Sequence, residues 1–159
     1  MIEIKEFKEE YAKEMSDIII TNLYKINIKD HGKDIIDRIS KHFTEDEIKR
    51  NFPNRDKCFV AIENNKVLGT ASISKFRGDE SGTKYIILTV FVKMENHHQG
   101  IGKMLMQEIE KYAVSIGAKQ LVIPASIYGL EFYQKLGYDY LDGKKELNED
   151  KEYTLVKYL

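Results

Sequence analysis

The stretch His97-His98-Gln99-Gly100-Ile101-Gly102-Lys103 combines residue types and spacing that could hold an anion. It follows the apolar run of residues 86–92 and opens a helix-like segment, residues 103–110. A strand that ends in a glycine turn and passes into a helix leaves the first helical N–H groups unpaired. Those donors and the positive end of the helix dipole favour a negative group, and the glycines let it come close to the backbone. The stretch therefore predicts a site for a phosphate-bearing cofactor. A dinucleotide fingerprint needs a third glycine where Leu105 stands, and a Walker loop needs Ser or Thr where Met104 follows Lys103. A bare tight turn is the bland alternative.

These residues must be positioned by flanking elements, and the pattern supplies them. Ile2, Ile4 and Phe7 alternate with charges as in a short strand. Tyr11, Met15, Ile18 and Ile19 predict an amphipathic helix over about residues 9–23. Residues 24–33 read as a polar loop, and a second helix is expected around residues 34–42. Thr44 and Glu47 have the capping-box form and predict a third, ending before Pro53. Residues 58–62 and 66–73 read as a hairpin joined at Asn64-Asn65. After the long helix come Gly117, a strand over residues 119–124, a helix from Ser126 through Leu136 ended by Gly137, and two strands near residues 138–141 and 153–158. The order predicts a single α/β domain over residues 1–159 with a mixed sheet.

Composition narrows the function classes. Lys plus Arg (25) and Asp plus Glu (26) give a net charge of -1, which argues against a broad nucleic-acid surface. No apolar run reaches membrane-spanning length, and the start lacks the apolar core of a signal peptide. Cys58 is the single cysteine, so no internal disulfide forms. A cytoplasmic protein is expected on these grounds. No ligand spacing around His97, His98 or Cys58 suits a metal, and none is expected.

The segment from Val92 to Gly102 resembles the acyl-CoA motif of the GNAT superfamily of N-acetyltransferases, a strand and turn followed by Arg/Gln-x-x-Gly-x-Gly/Ala. His97 stands where Arg or Gln is usual. A second segment, Ser126 to Tyr138, is similar to that superfamily's later motif, with Gly129 in place of the usual Ala. Two motifs in the right order are more specific than either alone. The resemblance implies a GNAT-like mixed, mostly antiparallel sheet flanked by helices, with splayed central strands. It also implies acetyl-CoA as cosubstrate and an amine as acceptor.

By the same resemblance, Val90, Phe91 and Val92 would contact the pantetheine and thioester, with the Val92 N–H as oxyanion donor. His97, His98, Gln99, Gly100, Ile101, Gly102 and Lys103 would form the pyrophosphate turn, and Ser126 and Lys135 would lie near the cofactor. Tyr133 takes the place of the general acid; a phenol of pKa about 10 can protonate a thiolate of pKa about 8.5. The strand over residues 86–92 offers no carboxylate as base, leaving Asp79, Glu80, His42 or a water chain. Asn27 and Asp30, in the expected loop, would face the acceptor. Tyr153, Leu155, Val156 and Tyr158 could form a sheet edge that pairs with a second copy. The rival function is a CoA-binding regulatory module without transfer activity.

Overall fold

Seven strands form one sheet in the order β1-β2-β3-β4-β5-β7-β6 in the computed structural model, which describes all of Met1–Leu159. The strands are β1 (Glu3–Glu6), β2 (Lys57–Glu63), β3 (Lys66–Lys75), β4 (Lys84–Val92), β5 (Gln120–Ala125), β6 (Asp139–Tyr140) and β7 (Tyr153–Tyr158). The helices are α1 (Ala12–Asn22), α2 (Ile28–His31), α3 (Lys33–Ser40), α4 (Glu45–Asn51), α5 (Ile101–Ser115) and α6 (Leu130–Lys135). Every strand pair is antiparallel except β4 with β5. No helix is long and apolar enough to cross a membrane.

The sheet is covered on both faces because its central strands carry apolar residues on both sides of the pleat. In β2, Phe59 and Ala61 join the core under α5, while Cys58, Val60 and Ile62 join the core under α1 and α4. Helix α5 buries Ile101, Leu105, Met106, Ile109 and Ala113, one stripe at helical spacing. Thr44 caps α4 by accepting the Glu47 N–H (3.2 Å), as the capping-box pattern predicts. The β2–β3 hairpin turns on Asn64 and Asn65 at φ 51 and 61, the left-handed pair that such a tight turn requires.

Three expectations are corrected. Residues 24–33 are not a loop: a wide π turn (Leu23–Asn27) continues α1 and runs into α2. Leu23, Asn27 and His31 are buried at a four-residue interval, a helical signal hidden by the polar residues around them. Ser126 does not begin a helix; its Oγ accepts the Gly129 N–H (3.0 Å) in a turn, and α6 starts only at Leu130. The strand over residues 153–158 is not the sheet edge. β7 lies between β5 and β6, and β6 covers Leu155 and Val156.

Candidate functional site

The site begins with a defect in β4. Thr89 and Val90 together face one residue of β3, since Leu88 pairs with Ser72 and Phe91 with Thr70. Thr89 takes φ 56, a conformation that costs a β-branched residue strain and marks a built feature. Arg55 holds it there. Its guanidinium donates to Thr89 Oγ1 (2.8 Å) and Ser72 Oγ (2.6 Å) and lies over the Phe52 ring at 3.8 Å. Burial lowers the Arg55 pKa to about 10, which leaves it charged at neutral pH.

Beyond the bulge the two central strands part. β4 and β5 pair only from Lys84↔Gln120 to Ile86↔Val122. The Lys93 N–H bonds Leu68 O (2.7 Å), so ladder alternation turns the backbone of Val92 away from β3 and towards the gap. Its carbonyl is held there by Asn22 Nδ2 (2.9 Å) and His97 Nε2 (2.7 Å). His97 thus spends one ring nitrogen on positioning β4.

The gap leads to the start of α5. Gly100 is the N-cap at φ 81, and His98 before it also has positive φ (63). The Met104 N–H makes a bond to Gly100 O (3.0 Å), so the N–H groups of Ile101, Gly102 and Lys103 precede the helical ladder. A Cβ at Gly102 would come within 3.0 Å of the Phe132 ring, which packs across the helix mouth.

Tyr133 stands on α6 beside this gap. Its hydroxyl makes no hydrogen bond to protein, yet no buried side-chain polar atom lacks a partner, so the oxygen reaches the cleft. Burial, and after it the Glu152 charge, push its pKa well above that of an ordinary phenol. A Cβ on Gly129 would press within 3.1 Å of the Tyr133 ring, so the tyrosine fills the space that an alanine would take.

All these features open into one cleft of about 720 Å³. Val90, Phe91 and Val92 line it from β4, and His97, His98, Gly100, Ile101, Gly102 and Lys103 from the turn and α5. Ser126, Tyr133 and Lys135 line it from the far side of the gap, with Lys135 paired to Glu131 at 3.2 Å. Asn27 lines the other end. Gln99 and Asp30 are outside the lining; the Gln99 amide engages Asn96 (3.2 Å) and Glu95 O (3.5 Å) instead. Asp79, Glu80 and His42 are also outside it. Asp79 is occupied by Ser81 and by the Lys84 N–H. Burial pushes the Cys58 thiol up to about 11, so it is no nucleophile at neutral pH.

Among the lining residues not singled out as site candidates from the sequence are Asn22, His31 and Glu152. The segment before β7 folds back over α2 and α3, where His31 Nδ1 donates to Asp150 O (2.6 Å) and Arg38 pairs with Asp150. This places Glu152 in the cleft wall. Its carboxylate accepts from Asn148 Nδ2 (3.3 Å), and burial raises its pKa.

A family model described as the acetyltransferase (GNAT) family matches residues 20–138. That is well over half of the chain, and the protein belongs to this family. Solved structures agree in fold. The PaiA N-acetyltransferase of Thermoplasma acidophilum, in complex with coenzyme A, is 17% identical, with 100% of this chain and 99% of that one covered at a TM-score of 0.81. A GNAT-family acetyltransferase from Staphylococcus aureus is 16% identical, covering 99% of both chains at 0.75. A GNAT-family acetyltransferase from Brucella melitensis, in complex with acetyl-CoA, is 18% identical, covering 99% and 88% at 0.68. A search of curated protein sequences finds no match.

Proposed function

We propose that the protein is an acetyl-CoA-dependent N-acetyltransferase. One observation carries this reading: free donors at the start of α5, the bulged end of β4 and the Tyr133 hydroxyl all face the same cleft. The residues present suit the cosubstrate. Backbone N–H groups of residues 101–103 are placed for a diphosphate, and Lys103 adds charge. The apolar sides of Val90 and Val92 suit a pantetheine arm laid in the gap between β4 and β5. Acetyl-CoA supplies the acetyl group as a thioester.

The chain's own groups then act at named atoms. The Val92 N–H, turned towards the gap, is placed to donate to an oxygen that gains charge as the amine attacks. Tyr133 stays protonated because burial disfavours the phenolate, and its proton is available to the departing sulfur. Amine-dependent release of free thiol from acetyl-CoA, with recovery of the acetylated amine, tests this function. Binding of coenzyme A with no thiol release across a broad amine panel would reject it.

A further inference from the structure

The end of the cleft away from α5 has its own chemistry. Asn27 is 8% exposed and His31 5% exposed, both nearly shut off from solvent, yet both contribute to the cleft wall. The Asn27 amide makes no hydrogen bond to protein, and no buried side-chain polar atom is left unpaired, so the amide meets the cleft. Its donor and acceptor are thus both open to a polar group bound in the cleft. Asp150 O can only accept, so His31 Nδ1 carries a hydrogen and the ring is fixed in one orientation.

Charge at this end is sparse. The charged side chains lining the cleft are Lys103, Lys135, Glu131 and Glu152, besides histidines. Lys103 lies on α5, and Lys135 and Glu131 pair with each other on α6. Glu152 alone stands by the α2 end, and it has no lysine or arginine within ion-pair distance. The remaining wall there is apolar: Leu23, Ile26, Ile36, Ile39 and Phe43.

Resting on the transferase reading above, we infer that this recess takes a monoamine with an apolar body, whose ammonium group meets Glu152 beside Asn27 and His31. Glu152 is also the group that removes the proton from the bound ammonium. One N–H proton passes to a Glu152 carboxylate oxygen, and the freed lone pair forms the C–N bond at the thioester carbonyl carbon. The C–S bond breaks with its electron pair going to sulfur, and the Tyr133 hydroxyl proton passes to that sulfur. The second proton leaves the new amide nitrogen and restores the phenol through solvent, and Glu152 releases the proton it took to solvent, which regenerates the carboxylate. A carboxylate whose pKa is raised by burial is a better base than a solvated one. The groups that set its titration are Asn148 and Asp150 on its own segment, His31 on α2, Arg38 on α3 and Tyr133 on α6. A polyamine or an amino acid would bring a second charge into a wall that has no partner for it.

The test compares 2-phenylethylamine, spermidine and free lysine as acceptors for the wild type and Glu152→Gln, with calorimetry of coenzyme A binding to both. The expected wild-type kcat/KM for 2-phenylethylamine exceeds that for the other two by at least about tenfold. Glu152→Gln lowers it about a hundredfold and abolishes the loss of activity on the acid side of the pH profile. Coenzyme A affinity stays within about twofold, and 2-phenylethylamine binding to the coenzyme-loaded variant weakens. Preference for spermidine or lysine overturns the substrate class. A Glu152→Gln enzyme within about threefold of wild type, with the same pH profile, overturns the base assignment while leaving the transferase intact. Failure of the wild type to bind coenzyme A would overturn both readings.

Discussion

Tyr133 and Glu152 are two acids whose surroundings push both pKa values upward, with different consequences. Burial keeps the tyrosine a donor at any ordinary pH, whereas it makes the carboxylate a more ready acceptor. Tyr133→Phe removes only the hydroxyl; turnover is expected to fall about a hundredfold, with acetyl-CoA affinity unchanged by calorimetry. Glu152 also carries a stability cost. Its folded pKa lies above the unfolded value, so the charged form is penalised at neutral pH, and the penalty fades as pH falls through the folded pKa. Glu152→Gln is therefore expected to melt above the wild type at about pH 8, with the gap closed near the ordinary glutamate value of about 4.3. A lower melting temperature for the variant at the higher pH would contradict this account.

At the scale of elements, the β4 bulge is a shape that β4 alone does not hold. Thr89 is strained, and the Arg55 clamp comes from the turn before β2, 34 residues away in sequence. Arg55→Met keeps the apolar stem but removes two charge-assisted bonds; a loss of about 2–3 kcal/mol by denaturant titration is expected, with a raised KM for acetyl-CoA. Close approach matters as much on the other strand. A Cβ at Gly69 would lie 2.9 Å from Phe91 O and 3.1 Å from Leu105, against backbone and a buried side chain. Gly69→Ala is expected to cost about 1–3 kcal/mol, lowering the melting temperature by roughly 2–4 °C per kcal/mol.

These elements show what the chain made legible. The segment around Tyr133 was marked by its family-like motif, and its helix starts four residues later than expected. The turn at Gly100 was readable because its residues are neighbours in sequence and their spacing is set by local helix geometry. The hairpin and the Thr44 cap were readable for the same reason. His31 and Glu152 were not: the His31 bond to the residue 150 carbonyl closes a loop of 119 residues, and no local pattern encodes that meeting. Arg55 likewise has an unremarkable sequence setting, and only the fold reveals its guanidinium between Ser72 and Thr89.

The whole molecule is a sheet with a core on each face, pinned open between β4 and β5. The far side of that opening is braced by Glu110 of α5, which accepts from Tyr138 Oη (2.8 Å) and from Lys157 Nζ of β7 (2.9 Å). Helix α5 is thereby tied to the C-terminal strand while its first turn faces the cleft, so the donors at residues 101–103 sit on a rigid mount. Cosubstrate binding depends on those donors gripping a diphosphate. Isothermal titration of the purified protein with acetyl-CoA measures that grip directly. One cosubstrate per chain, bound with sub-millimolar affinity, is the expected result; no heat of binding at millimolar acetyl-CoA would contradict it.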